Sequence, residues 1–186
     1  MQLGFYFDQQ RCTGCYTCVV ACKEWHGVPP GAAAWCRLNT VEKGAFPRPW
    51  LGHLFLACYH CAQPACVTAC PTEALTKRAQ DGIVVVDREL CLSGCRACLA
   101  ACPFQSPQYR GADDKMEKCD LCLERLHEGK EPLCVATCPL RALKVGPLDD
   151  LRESTGGEQW APGLPDTRAT GPSILFRARV GYPGES

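Results

Sequence analysis

Sixteen of the 17 cysteines in this chain sort by spacing into four groups of four. They are Cys12, Cys15, Cys18 and Cys22; Cys58, Cys61, Cys66 and Cys70; Cys91, Cys95, Cys98 and Cys102; and Cys119, Cys122, Cys134 and Cys138. Every group ends on the interval C-x3-C, and proline follows the last cysteine in three of them: Cys70-Pro71, Cys102-Pro103 and Cys138-Pro139. Thiolates are soft ligands that select iron–sulfur clusters or zinc over hard cations. A zinc ribbon uses two separated C-x2-C pairs per metal, whereas these groups are triplets with a distal fourth thiol. A disulfide scaffold needs an oxidising compartment. The N-terminal MQLGFYFDQQRC has no charged start, no long apolar run and no twin arginine, so no export signal is expected. A catalytic C-x-x-C pair would need one motif, not four. The pattern predicts four 4Fe-4S clusters held by sixteen cysteines.

The first group keeps the bacterial ferredoxin spacing C-x2-C-x2-C-x3-C, and the other three stretch it. In that spacing three cysteines hold one cubane and the fourth reaches the neighbouring cluster. The short loop turns its amides toward the sulfurs. The x3 step begins a helical turn that aims the fourth thiol away, and proline fixes the exit direction. Spacing alone leaves open whether the first group exchanges its fourth cysteine with the second group or with another.

The elements that must carry these loops repeat along the chain. Gly4–Asp8 and Gly82–Asp87 are short aromatic or β-branched strands, each ending in aspartate four residues before a first ligand. Cys70-Pro-Thr-Glu-Ala-Leu75 matches Cys138-Pro-Leu-Arg-Ala-Leu143, and strands are expected after each, at 75–77 and 142–145. Asp81-Gly82 marks a hairpin turn between Thr76-Lys77 and Ile83–Val86. Short helices are expected at 17–25, 97–101 and about 121–127. Residues 23–57 hold no ligand but carry Trp25, Trp35 and Trp50, and 146–186 is rich in glycine and proline. Ser173–Phe176 is the one apolar run there expected to anchor as a strand.

Composition narrows the function. Lysine plus arginine equals aspartate plus glutamate at 20 each, so no basic surplus speaks for nucleic acid or an anionic membrane. Aromatics make up only 8% of the 186 residues, so bound cofactors are expected to help hold the fold. There is no G-x-G-x-x-G, P-loop or G-x-S-x-G. His60, between Cys58 and Cys61, is a candidate for tuning the cluster on that loop, against the plainer reading of a structural histidine. Lys115, Lys118 and Arg96 are candidates for offsetting cluster charge, against a solvated face. Cys36, the leftover thiol, is expected to be a small buried hydrophobe.

The four groups, the eleven-residue loop between Cys122 and Cys134, and the stretches CYHC and PAC resemble the four-cluster ferredoxin-like B subunits of complex iron–sulfur molybdoenzymes, the dimethyl sulfoxide, thiosulfate and polysulfide reductase group. The resemblance covers about residues 3–150. It implies an α+β fold of two ferredoxin-like modules, each binding two 4Fe-4S clusters, with a long insertion and an extended C-terminal tail. The outer module would comprise 1–57 plus 103–150, the inner one 58–102, and the tail 151–186, a candidate for partner binding. The ligand sets it implies are Cys12, Cys15, Cys18 with Cys138; Cys119, Cys122, Cys134 with Cys22; Cys58, Cys61, Cys66 with Cys102; and Cys91, Cys95, Cys98 with Cys70. The third group departs from the pattern with C-x3-C in CLSGC, which Gly94 lets bulge outward, and the first lacks the proline, having Lys23 after Cys22.

The same resemblance implies a non-catalytic electron-transfer subunit. It would relay single electrons through four 4Fe-4S clusters between a large molybdenum or tungsten bis-pterin catalytic subunit and a redox partner or membrane quinone subunit. The alternative is a free-standing polyferredoxin carrier. The expected location is the cytoplasm or the cytoplasmic face of the membrane, the alternative being co-export to the periplasm with a partner.

Overall fold

A computed structural model describes residues 1–109, 111, 113–165 and 168–183. The fold is a small mixed α/β one in which short elements frame the cysteine loops. Its central sheet has three strands in the order β8-β1-β9: β1 is Leu3–Asp8, β8 is Leu143–Pro147 and β9 is Ile174–Arg177. β8 runs antiparallel to β1, pairing Phe5 with Val145, and β9 runs parallel to it, pairing Phe5 with Ile174. Side chains alternate across a strand. Phe5, Phe7, Leu143, Ile174 and Phe176 therefore enter the main core, while Tyr6 and Leu175 face the opposite side. There α6, Leu148–Thr155, covers them with Leu151. Gly4 is required by this packing, because a Cβ on it would lie 2.5 Å from Ser173 O and 2.8 Å from Leu148 Cδ1.

The helices expected beside the ligand loops form as α1, Thr17–Trp25, and α3, Ala97–Ala101. α4 starts later than expected, at Leu123–His127, because Leu121 and Cys122 adopt left-handed backbone (φ 61° and 49°) that no helix continues. α2, Ala65–Thr68, and α5, Leu133–Ala136, are single turns inside the second and fourth groups. The Asp81-Gly82 hairpin forms between β4, Leu75–Lys77, and β5, Val84–Val86, with Leu75 opposite Val86. A two-residue ladder joins β6, Gln108–Tyr109, to β7, Met116–Glu117.

Two segments differ from expectation. The ligand-free insertion forms a seven-rung hairpin, β2 Arg37–Lys43 with β3 Trp50–Leu56. Its Phe55 is fully buried, with ring centroids 5.4 Å from Phe5 and 5.9 Å from Phe7. The tail is not an extended arm. The boundary expected at residue 150 falls inside α6, whereas the strand expected at Ser173–Phe176 does form, as Ile174–Arg177, and completes the sheet. Between these elements the tail crosses the second cysteine loop. Ala62 N donates to Gly171 O at 2.7 Å, Gln63 N to Thr170 O at 3.0 Å, and Ser173 N to Tyr59 O at 2.9 Å. It also meets the insertion, where Trp50 Nε1 donates to Val180 O at 3.0 Å.

Candidate metal centres

Cys12, Cys15, Cys18 and Cys138 line one small apolar cavity together with Phe7, Leu38 and Leu143. Cys70, Cys91, Cys95 and Cys98 line another, with Leu75, Val86 and Met116. Each cavity has a wall built from the same kind of repeat: Cys138-Pro139 with Ala142-Leu143 in one, Cys70-Pro71 with Ala74-Leu75 in the other. Of the remaining nine cysteines, all but Cys36 gather in two more tetrads. α1 packs on α5, which brings Cys22 to Cys119, Cys122 and Cys134. α2 packs on α3, which brings Cys102 to Cys58, Cys61 and Cys66.

Burial first, then repulsion from neighbouring thiolates, makes five of these thiols hard to ionise. The Cys66 thiol is pushed up to about 12, those of Cys61 and Cys122 to about 11, and Cys119 and Cys134 lie well above the ordinary range. Such tetrads become thiolates only against a cationic occupant, which displaces the protons. Four thiolates on one zinc would sit about 3.8 Å apart, given Zn–S bonds of about 2.3 Å. Among the described residues no group of three or more His, Cys, Asp or Glu is placed to hold a single metal ion. The cysteines ring cavities instead, a donor set suited to a polynuclear thiophilic cluster.

The loops aim backbone amides at the sulfurs by adopting left-handed backbone at fixed offsets. The residue before each second cysteine has positive φ: Gly14 at 71°, His60 at 47°, Gly94 at 73° and Leu121 at 61°. So has the third residue after each Cys-Pro cysteine: Glu73, Gln105 and Arg141. Donors follow, with Leu121 N 3.4 Å from Cys119 Sγ, Ser106 N 3.4 Å from Cys102 Sγ and Ala142 N 3.3 Å from Cys138 Sγ. Non-glycine residues hold this conformation at a cost of about 1–3 kcal/mol each, and such strain clusters where it serves a site. In the first group, lacking the proline, α1 runs on through Cys22 instead. The extra residue of the third group is accommodated at Gly94, with Leu92 half exposed.

Around the ligands, His60 is fully buried and held neutral, its acidity raised by burial and by Lys118 and Lys77. Its Nδ1 accepts Val84 N–H at 3.0 Å, so Nε2 carries the proton, and that buried N–H has no partner among the described residues. An orphan donor between Cys58 and Cys61 suits a sulfur-rich occupant. Lys118 is buried, donating to Val84 O and to Cys119 O, and its charge favours the Cys66 thiolate. Lys115 instead caps Arg88 O at 2.8 Å. Cys36 is buried beside Cys18 and Cys22, its Sγ donating to Cys18 O at 3.5 Å, and these neighbours and its burial keep its proton on. Several neighbours were not apparent from sequence. His26 Nε2 lies 3.5 Å from Cys122 Sγ, its ring stacked 4.0 Å from Trp35. Tyr109 Oη lies 3.2 Å from Cys98 Sγ, and Thr17 Oγ1 3.4 Å from Cys15 Sγ. Lys77 Nζ binds four oxygens, including His60 O and Cys61 O.

Residues 53–148 match the 4Fe-4S dicluster domain family, and residues 3–24 a 4Fe-4S binding domain. The chain belongs to the 4Fe-4S dicluster family. Within that family it is 41% identical over 184 residues to the B subunit of anaerobic dimethyl sulfoxide reductase from Escherichia coli (strain K12), covering 95% of this chain and 88% of the relative. It is 34% identical over 202 residues to the B subunit of sulfite dehydrogenase from Allochromatium vinosum, covering 97% and 76%. To Protein NrfC of Escherichia coli it is 37% identical over 151 residues, covering 81% and 67%. The family resemblance expected from the cysteine spacing is therefore met.

Proposed function

We propose that the chain is the electron-transfer subunit of an oxidoreductase complex, non-catalytic by itself, carrying four 4Fe-4S clusters in two ferredoxin-like modules. The observation that carries this reading is the grouping of sixteen cysteines into four tetrads in a chain similar throughout to B subunits of reductases and dehydrogenases. The ligand sets are Cys12, Cys15, Cys18 and Cys138; Cys119, Cys122, Cys134 and Cys22; Cys58, Cys61, Cys66 and Cys102; and Cys91, Cys95, Cys98 and Cys70. When bound, each cluster supplies a one-electron couple. The protein's part is to hold the tetrads in sequence, exclude water and supply donors to sulfur.

Adjacent tetrads share neighbours, which supports a linear relay. Cys18 of the first repels Cys134 of the second, and Cys58 of the third repels Cys119 of the second. Cys66, on α2, and Cys70, two residues past the end of that turn, serve the third and fourth. The relay ends have exposed rims: Cys15, Tyr16 and Leu140 at one, Leu90 and Leu92 at the other. Electrons enter and leave there, one end serving a large molybdenum or tungsten bis-pterin subunit, the other a redox partner or membrane quinone subunit. Among the described residues no helix is long and apolar enough to cross a membrane. The proposed place is the cytoplasmic face, with co-export beside a partner as the alternative that cell fractionation would reveal.

Anaerobic purification with metal analysis tests this. About sixteen iron and sixteen sulfide per chain are expected, with molybdenum or tungsten on a co-purifying large chain. Zinc without sulfide would overturn the cluster assignment, and full iron with no partner would leave a free polyferredoxin.

A further inference from the structure

The β6–β7 hairpin is tied to the third cysteine group from both sides. Arg96, inside the group, stacks its guanidinium 3.6 Å over the Tyr109 ring and pairs with Asp114 Oδ1 at 2.6 Å. Gly94 N donates to Asp114 O at 3.2 Å. Arg88, just ahead of the group, donates to Met116 O at 3.2 Å, and Lys115 Nζ returns to Arg88 O at 2.8 Å. The single rung Tyr109–Met116 then delivers two donors to two thiols of one tetrad. Tyr109 Oη reaches Cys98 Sγ at 3.2 Å, and Met116 N reaches Cys91 Sγ at 3.5 Å.

We propose that the Tyr109 hydroxyl, fixed in place by Arg96, raises the reduction potential of the cluster held by Cys91, Cys95, Cys98 and Cys70. This rests on the cluster assignment above. A thiolate only accepts, so the phenol must be the donor. A hydrogen bond to ligand sulfur stabilises the more negative, reduced cluster over the oxidised one and so raises its potential. Arg96 is a positioning residue: it lies over the ring and bonds Asp114, leaving Cys98 to the hydroxyl.

The test is an EPR-monitored redox titration of the cluster-loaded full chain, anaerobically, comparing wild type with Tyr109→Phe, Arg96→Met and the double variant. Tyr109→Phe keeps the ring under Arg96 and removes only the hydroxyl. Its expected effect is a fall of about tenfold in the reduced-to-oxidised ratio of one couple at fixed potential, about 59 mV for one electron. The couple is the one that Cys98→Ser perturbs, and the others stay put. Arg96→Met should shift the same couple downward by less, and should add nothing in the Tyr109→Phe background. An unmoved couple, an upward shift, a shift of every couple, or iron lost from Tyr109→Phe would each overturn the tuning role. Iron and sulfide of the wild-type chain test the cluster assignment separately, so a full complement with unmoved potentials condemns the tyrosine alone.

Discussion

Replacing Gly14 by alanine should damage the first cluster site through two separable effects. Gly14 stands between Cys12 and Cys15 with φ 71°, a conformation that costs a residue with a Cβ about 1–2 kcal/mol. The new Cβ would also lie 2.5 Å from His53 Cε1 and 2.6 Å from its Nε2. That ring cannot swing freely. It is buried, its Nδ1 lies 3.3 Å from Thr40 Oγ1, and the His53 carbonyl accepts from Gln9 Nε2 at 3.0 Å. Overpacking of this kind costs about 1–3 kcal/mol. The total is roughly 2–5 kcal/mol, or about a 30- to 4,000-fold rise in the open population, at tenfold per 1.4 kcal/mol. The assay is anaerobic bleaching of cluster colour by an iron chelator in mild urea, where opening precedes loss. His53→Ala removes the obstacle, so in that background Gly14→Ala should retain only the backbone cost, about 5- to 30-fold. A Gly14→Ala penalty that is the same with and without the His53 ring would refute the steric half. No penalty in either background would refute both.

Three further outcomes are expected. Phe55→Ala, which empties the space between Phe5 and Phe7, should cost about 3–5 kcal/mol, read as a lowered urea midpoint for cluster retention. Cys36→Ala should leave iron and sulfide per chain unchanged, whereas Cys138→Ala should deplete them; equal losses would make Cys36 a ligand. His53 has its pKa lowered by burial and then by Arg179, so the unfolded chain takes up its proton first as pH falls. Stability supplied by the neutral ring is present above about pH 6.5 and is lost as pH drops below it. His53→Gln should flatten that limb of the stability–pH curve.

The ligand loops and their immediate flanks were legible because their signals are local. Cys-Pro fixes an exit, Asp81-Gly82 fixes a turn, and the x3 step begins a helix, so α1, α3 and the β4–β5 hairpin follow from neighbours in sequence. The β2–β3 hairpin was not expected, although 44–49 is a glycine–proline loop between two strand-like runs. Neither run shows the alternation of a half-buried strand: Arg37–Lys43 is mostly polar, and Trp50–Leu56 is apolar nearly throughout. α6 had its own signals, Asp149 and Asp150 in its first turn and Gly156 after its last, hidden in a stretch dominated by proline and glycine. His26 and Tyr109 had no local signal. They meet Cys122 and Cys98 across 96 and 11 residues, and only the folded packing of α1 and of the β6–β7 rung brings them there.

The closure of the first cavity by Cys138 also sets a timetable on the ribosome. Cys12 and Cys138 lie 126 residues apart, about 6–25 s of elongation at roughly 5–20 residues per second. Cys70 and Cys98 are 28 residues apart, about 1–6 s. A nascent chain therefore completes the tetrads within 58–102 early. It carries Cys12, Cys15 and Cys18 without their fourth partner until translation has passed residue 138. On the proposed ligand set, cluster delivery to that site follows completion of the tetrad, and until then its three thiols have to be kept reduced by the cell.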